Sequence, residues 1–157
     1  MIINKATFGA GCFWGVQYEF DKLDGVVETT VGYMGGHKKK PTYEEVCSDK
    51  TGHAEVVEIK YDPEKISYEN LLKKFFEVHD PTQFNKQGPD IGSQYRSVIF
   101  YYDDKQEEIA EKMKKDLQDS GKFGARTIAT AIEAAQDFWK AEDYHQKYVD
   151  KTGRKVC

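Results

Sequence analysis

The 157 residues, 39% of them apolar and 13% aromatic, are enough to build one domain with a proper core and too few for two. A net charge of −4 gives no reason to expect nucleic acid or an anionic membrane as partner. Three cysteines rule out a secreted disulfide scaffold, no apolar run approaches the ~20 residues of a membrane span, and Met1 to Thr7 lack the plan of a signal peptide, so a cytoplasmic, monomeric, single-domain protein over residues 1–157 is expected.

Along the chain, Lys5–Gly9 reads as a short strand and Gly9–Gly11 as a tight turn. Phe13 to Leu23 reads as a helix closed by Asp24-Gly25. The run from Ala6 to Tyr18 carries no charge in a chain that is 32% charged, which implies burial. Val27, Val31 and Tyr33 are expected on one face of a second strand ended by Gly35-Gly36. Residues 34 to 53 show no period and read as a long loop, usually a functional feature in a compact domain. Glu55–Tyr61 reads as a third strand. Tyr68, Leu71, Leu72, Phe75, Phe76 and His79 trace a helical stripe with Ser67 as N-cap. A second long loop, Asp80 to Gln94, leads to a strand at Arg96–Tyr102. Ile109, Met113 and Leu117 mark another helix, Thr127–Glu133 a fifth strand, and the region around Glu142–Lys151 a last short helix. The first six elements run β-α-β-β-α-β. The expected fold is therefore α+β, a two-layer sandwich with a ferredoxin-like core, a mixed sheet and helices on one face.

Chemistry concentrates in a few residues. Cys12 stands between a strand and a helix in Gly-Cys-Phe-Trp-Gly, where unpaired N–H groups and the helix dipole favour a thiolate. A small buried core residue is the plain alternative. Phe13 and Trp14 are costly to leave exposed unless they wall a pocket, though they could also simply fill the core. Glu55 shares the odd-numbered face of its strand with Val57, Ile59 and Tyr61. An inward carboxyl there is biased toward its neutral, acid form, whereas a position at the strand's first residue could leave it solvated. Tyr43 and Tyr95 lie in the two long loops and could hydrogen-bond a developing oxyanion or merely cover a core edge. The four histidines share no short ligand spacing with the cysteines, so no metal site is expected, and no cofactor is called for. Cys47 could be a buried loop anchor. Cys157, the last residue, is expected to be exposed on a flexible tail from about residue 150.

Together these segments resemble the A-type peptide methionine sulfoxide reductases. Gly11-Cys12-Phe13-Trp14-Gly15 is similar to that family's nucleophile signature, and Tyr33-Met34-Gly35-Gly36 to its Y-x-G-G segment. Tyr43 to Cys47, Thr51 to Val57, His79 to Gln83, Gln87-Gly88, Asp90, Gly92, Gln94 to Ser97 and Ala141 to Gln146 follow in the family's order. Lys86 departs from the usual arginine, and a single cysteine follows the catalytic domain where several relatives have two.

The resemblance implies reduction of methionine S-sulfoxide, free or in proteins, as antioxidant repair. It implies Cys12 as nucleophile, Phe13 and Trp14 as the pocket for the S-methyl group, and Glu55 as acid. Tyr43 and Tyr95 would bind the sulfoxide oxygen, and Asp90 would support the polar side. It also implies a C-terminal thiol, here Cys157, that converts a Cys12 sulfenic acid to a disulfide for thioredoxin to reduce. Nine residues from Val149 to Cys157 at ~3.3 Å each reach roughly 30 Å, with Cys47 as the rival thiol. A thiol peroxidase or hydrolase, or a non-enzymatic ferredoxin-like binding module, would leave the Phe13, Trp14 and Glu55 grouping unexplained.

Overall fold

In the computed structural model, which describes residues 2–155, β1 (Asn4–Ala10) leads into α1 (Phe13–Asp21), β2 (Val26–Met34), the short α2 (Tyr43–Cys47), β3 (Ala54–Tyr61) and α3 (Tyr68–Glu77). A two-stranded ribbon, β4 (Lys86–Gln87) and β5 (Asp90–Ile91), precedes β6 (Ser97–Tyr101) and α4 (Asp104–Asp119). The chain then forms β7 (Ala131–Ala134), β8 (Trp139–Lys140) and α5 (Tyr148–Thr152). The main sheet runs β7-β6-β1-β3-β2-β8. Only the β6–β7 pair is parallel, so the sheet is mixed. Its four central strands and two intervening helices form the expected ferredoxin-like core.

Periodicity explains the layers. Tyr68, Leu71, Leu72, Phe75 and Phe76 recur at helical spacing and bury one face of α3, while the Ser67 side chain accepts the Asn70 N–H as N-cap. Against them Phe8 of β1 meets Phe75 at 5.1 Å, Phe20 at 5.7 Å and Tyr68 at 6.1 Å between ring centres. Each fully buried side chain of this size contributes about 1.5–3 kcal/mol over its exposed state. The other face of the sheet holds a smaller cluster of Met34, Ala54, Val56, Val98 and Phe100, covered by Ala131, Ala135 and Phe138.

Several local expectations change. A bulge between Val26 and Glu28 shifts the register of β2, and Val27 is 54% exposed rather than sharing the inward face of Val31 and Tyr33. The first long loop contains α2, started by a capping box in which Thr42 and Glu45 exchange bonds. The second long loop contains the β4–β5 ribbon and a 3₁₀ turn at Ser93–Tyr95. The fifth strand is confined to Ala131–Ala134, and β8 was not anticipated. The last helix, expected around Glu142–Lys151, is confined to Tyr148–Thr152 and so takes in the start of the tail expected from about residue 150. Cys157 lies outside the described residues.

Topology decides where these loops meet. Because β1 and β2 both run antiparallel to β3, the end of β1, the end of β2 and the start of β3 share one edge of the sheet. Ala10 pairs with Ser97 and Tyr33 with Glu55, so the start of β6 lies there too. Both long loops and the β1–α1 turn therefore converge on one end of the molecule. The short β8, paired to Gly32 and Tyr33, brings the segment around residues 141–146 to the same place.

Candidate active site

Gly11 and Cys12 are the whole connection between β1 and α1. Gly11 sits at φ +96°, and a Cβ there would lie 2.8 Å from the Gln87 side chain. Only glycine meets both demands, so the turn is sharp and the β4–β5 ribbon closes against it. Cys12 follows at the N-cap of α1 and contributes no side-chain cap. The N–H groups of the first helical turn, which have no partner within the helix, consequently face the reacting end. One of them, on Phe13, donates to Glu55 Oε1 at 3.2 Å.

That bond ties the third strand to the cysteine turn. Glu55 is 1% exposed, on the inward phase its alternation implies. Burial raises its carboxyl to about 8, against the opposing pull of the Phe13 N–H and with help from the negative charge of Asp90. At neutral pH the group is mostly protonated. It can therefore donate a hydrogen bond or a proton beside Cys12.

The phenols of Tyr43 and Tyr95 are raised above their ordinary range by burial and then by the Glu55 charge, so both remain donors. Tyr43 opens α2, and Tyr95 ends the 3₁₀ turn. Cys47 is exposed as a residue rather than a buried anchor, yet its sulfur interacts with both phenols; burial of that sulfur raises its thiol. Asp90, on β5, lines a cavity of about 290 Å³ with Cys12, Val16, Gln87 and Lys155. A larger groove of about 460 Å³ between Tyr61, Tyr68 and Asp103 opens at the opposite end of the sheet, far from any of these groups.

The apolar wall is built from Phe13 and Trp14, which are 1% and 6% exposed. Trp14 stacks on Tyr148 at 3.8 Å between ring centres, and its Nε1–H donates to His145 Nδ1 at 2.9 Å. Burial holds His145 below its ordinary value, keeping the ring neutral and Nδ1 able to accept. Phe13 packs on Tyr33 at 5.7 Å and on His145 at 5.2 Å. Glu142 clamps the site from β8's side: Tyr33 Oη–H donates to one carboxylate oxygen and the Tyr43 N–H to the other, each at 2.9 Å. Past α5, the Arg154 guanidinium lies 5.6 Å from the Trp14 ring centre. A Cβ at Gly15 would sit 2.9 Å from the Lys155 carbonyl, so that glycine admits the C-terminal backbone against α1.

Cys12, Phe13, Trp14, Tyr43, Glu55, Asp90 and Tyr95 thus gather at one end of the sheet. The supporting roles of Tyr33, Glu142 and His145 were not anticipated. Their only signal was membership of the Tyr33–Gly36 and Ala141–Gln146 segments, since bonds spanning 99 residues or more leave no local period. Among the described residues no cluster of histidine, cysteine and carboxylate could hold a metal ion, and no helix is long and apolar enough to cross a membrane.

Comparison with known proteins is consistent with this geometry. A family model described as peptide methionine sulfoxide reductase matches residues 4–157. The peptide methionine sulfoxide reductase MsrA of Methanothermobacter thermautotrophicus is 58% identical over 154 residues, covering 98% of this chain and 90% of that protein. The crystal structure of Mxr1 from Saccharomyces cerevisiae in reduced form superposes with a TM-score of 0.91 at 37% identity, over 99% of this chain and 88% of that one. Mxr1 in complex with Trx2 gives a TM-score of 0.65 at 28% identity, over 93% of this chain and 84% of that one. The family model spans nearly the whole chain and the archaeal relative is covered to 90% of its length, and the chain therefore belongs to the A-type peptide methionine sulfoxide reductases, oxidoreductases that reduce methionine sulfoxide.

Proposed function

We propose that the single domain reduces methionine S-sulfoxide through Cys12. The observation that carries this reading is the buried Glu55 carboxyl, bonded to the Phe13 N–H beside the cysteine and neutral at physiological pH. A sulfoxide is a poor electrophile until its oxygen is protonated or strongly hydrogen-bonded. Glu55 supplies the proton, and the Tyr43 and Tyr95 hydroxyls donate to the same oxygen. The Cys12 thiolate attacks the activated sulfur. An S–S bond forms as the S–O bond breaks, and the protonated oxygen leaves as water. A water molecule then attacks the Cys12 sulfur, and the S–S electron pair departs with the substrate as methionine. Cys12, oxidised by two electrons, is left as sulfenic acid. Phe13 and Trp14 enclose the S-methyl group. A fixed methyl pocket and a fixed oxygen site together select one hand at sulfur, and Asp90 supports the polar side.

The second half of the cycle falls to Cys157. Its thiol attacks the sulfenic sulfur, water departs, and a disulfide forms that a dithiol of the thioredoxin type reduces. Support comes from Lys155, which lines the Cys12 cavity two residues before it, and from the yeast relative solved with Trx2. Thiol recycling of this kind suits the reducing cytoplasm.

Single-turnover reduction of methionine S-sulfoxide tests the first half. Cys12→Ser should yield no methionine; one equivalent per enzyme would overturn the assignment. Peptide mass spectrometry after one turnover tests the second. Cys12 joined to Cys47, or full-rate thioredoxin recycling by Cys157→Ser, would remove Cys157 from the cycle.

A further inference from the structure

Tyr68, the first residue of α3, is 7% exposed, and its hydroxyl is buried without a hydrogen-bond partner among the described residues. Polar groups surround it, but they are engaged with one another. Tyr102 Oη pairs with Thr7 Oγ1 at 2.6 Å, Gln106 Oε1 accepts the Tyr102 N–H at 3.0 Å, and Gln106 Nε2 donates to the Lys5 carbonyl at 2.8 Å. Lys5, Tyr68, Tyr102 and Gln106 all line the groove of about 460 Å³ at the end of the sheet away from Cys12. We infer that this groove is a binding site for a small aromatic carboxylate, whose charged end accepts the hydrogen bond that the Tyr68 hydroxyl has to give. A buried hydroxyl with no partner costs stability, and a ligand that accepts its proton explains why it is there.

The lining specifies both halves of such a ligand. Burial, then the neighbouring charges of Tyr61, Asp103 and Tyr102, raises the Tyr68 phenol, so it stays a donor. Those three neighbours line the groove, which places the hydroxyl end of the ring on that side. Two helices also begin there. Ser67 and Asp103, the N-caps of α3 and α4, are both groove residues, so the positive ends of both helix dipoles face a bound anion. Lys5 and Lys105 add two cations against one lining carboxylate, and Asp103 Oδ1 is already taken by the Gln106 N–H at 2.8 Å. Lys5 itself lies 5.1 Å from the Tyr102 ring centre and 3.9 Å from a Glu58 oxygen. The rings of Tyr61, Tyr68 and Tyr102, with Ile109, supply flat apolar surface for an aromatic body. The volume falls in the range of small-molecule sites.

The test is an amide chemical-shift titration of the ¹⁵N-labelled protein with indole-3-acetate, beside neutral indole-3-acetamide and non-aromatic cyclohexaneacetate. At the efficiency usual for drug-sized ligands, a probe of this size binds with a dissociation constant of about 1 mM. The aromatic acid should saturate shifts at Lys5, Tyr68 and Lys105 and leave Cys12 and Trp14 unmoved, while each comparison probe binds at least about fivefold more weakly. Tyr68→Phe keeps the ring and removes the hydroxyl. It should weaken the aromatic acid by about fivefold and, because the unpaired group is gone, raise the urea midpoint of the unliganded protein. Lys105→Gln, on the first turn of α4, should weaken the acid and leave the amide unchanged. Shifts that do not saturate by about ten times that concentration, saturation centred on Cys12, or equal affinity for acid and amide would overturn the site. So would unchanged affinity in Tyr68→Phe, or a lowered urea midpoint in that variant, which would mean that the hydroxyl is already satisfied within the folded protein.

Discussion

Glu55→Gln separates the acid from the hydrogen bond it accepts. The amide oxygen can still take the Phe13 N–H at the position of Oε1, but the side chain has no proton to give. Raising a carboxyl from 4.5 to about 8 means that ionising it in the folded site costs roughly 5 kcal/mol, at 1.36 kcal/mol for each tenfold step. Between those two pH values the folded protein binds a proton that the unfolded chain has released. Stability due to this group is therefore full below the unfolded value and is lost as pH rises toward about 8. Urea unfolding at pH 5 to 9 should show that decline, by several kcal/mol, in wild type and not in Glu55→Gln. In rapid-quench single turnovers, wild-type reduction should fall as pH passes about 8. Glu55→Gln should be slower by ~10²–10⁴-fold at neutral pH, the usual range for a general acid. A kinetic loss below about threefold, or wild-type stability that is flat from pH 5 to 8, would falsify the assignment of Glu55 as a protonated acid.

Glu142→Ala should strand the Tyr33 hydroxyl and the Tyr43 N–H; we expect a loss of about 1–3 kcal/mol in urea unfolding and slower single turnovers with Cys12 still reactive toward iodoacetamide. Phe8→Ala removes the ring that joins Phe20, Tyr68 and Phe75, and should cost ~3–5 kcal/mol, read as a lower urea midpoint at constant m-value. Gly11→Ala forces a side chain into positive φ and against Gln87; the expected outcome is a folded protein with single turnovers slowed by roughly 10–100-fold, because the ribbon and Cys12 can no longer approach as closely.

Local physics reached far into this molecule. A Gly11-Cys12 turn between a strand and a helix, a helical stripe from Tyr68 to Phe76 behind a serine cap, and a strand with Glu55 in phase with Val57 and Ile59 are all patterns of period and capping, which neighbouring residues write by themselves. The βαββαβ order came with them. The β2 bulge, the helical turn at Tyr43 and the short β8 escaped, since each is only a few residues long and is decided by what it packs against. What only the tertiary structure decided is the environment of each candidate. Alternation turned Glu55 inward, but a carboxyl near 8 required the whole site to exclude water from it. Likewise Trp14 could be read as a wall, while the acceptor that holds its ring lies 131 residues away at His145. Burial and electrostatics are sums over neighbours distant in sequence, and an antiparallel sheet brings those neighbours together without leaving a mark on any one segment.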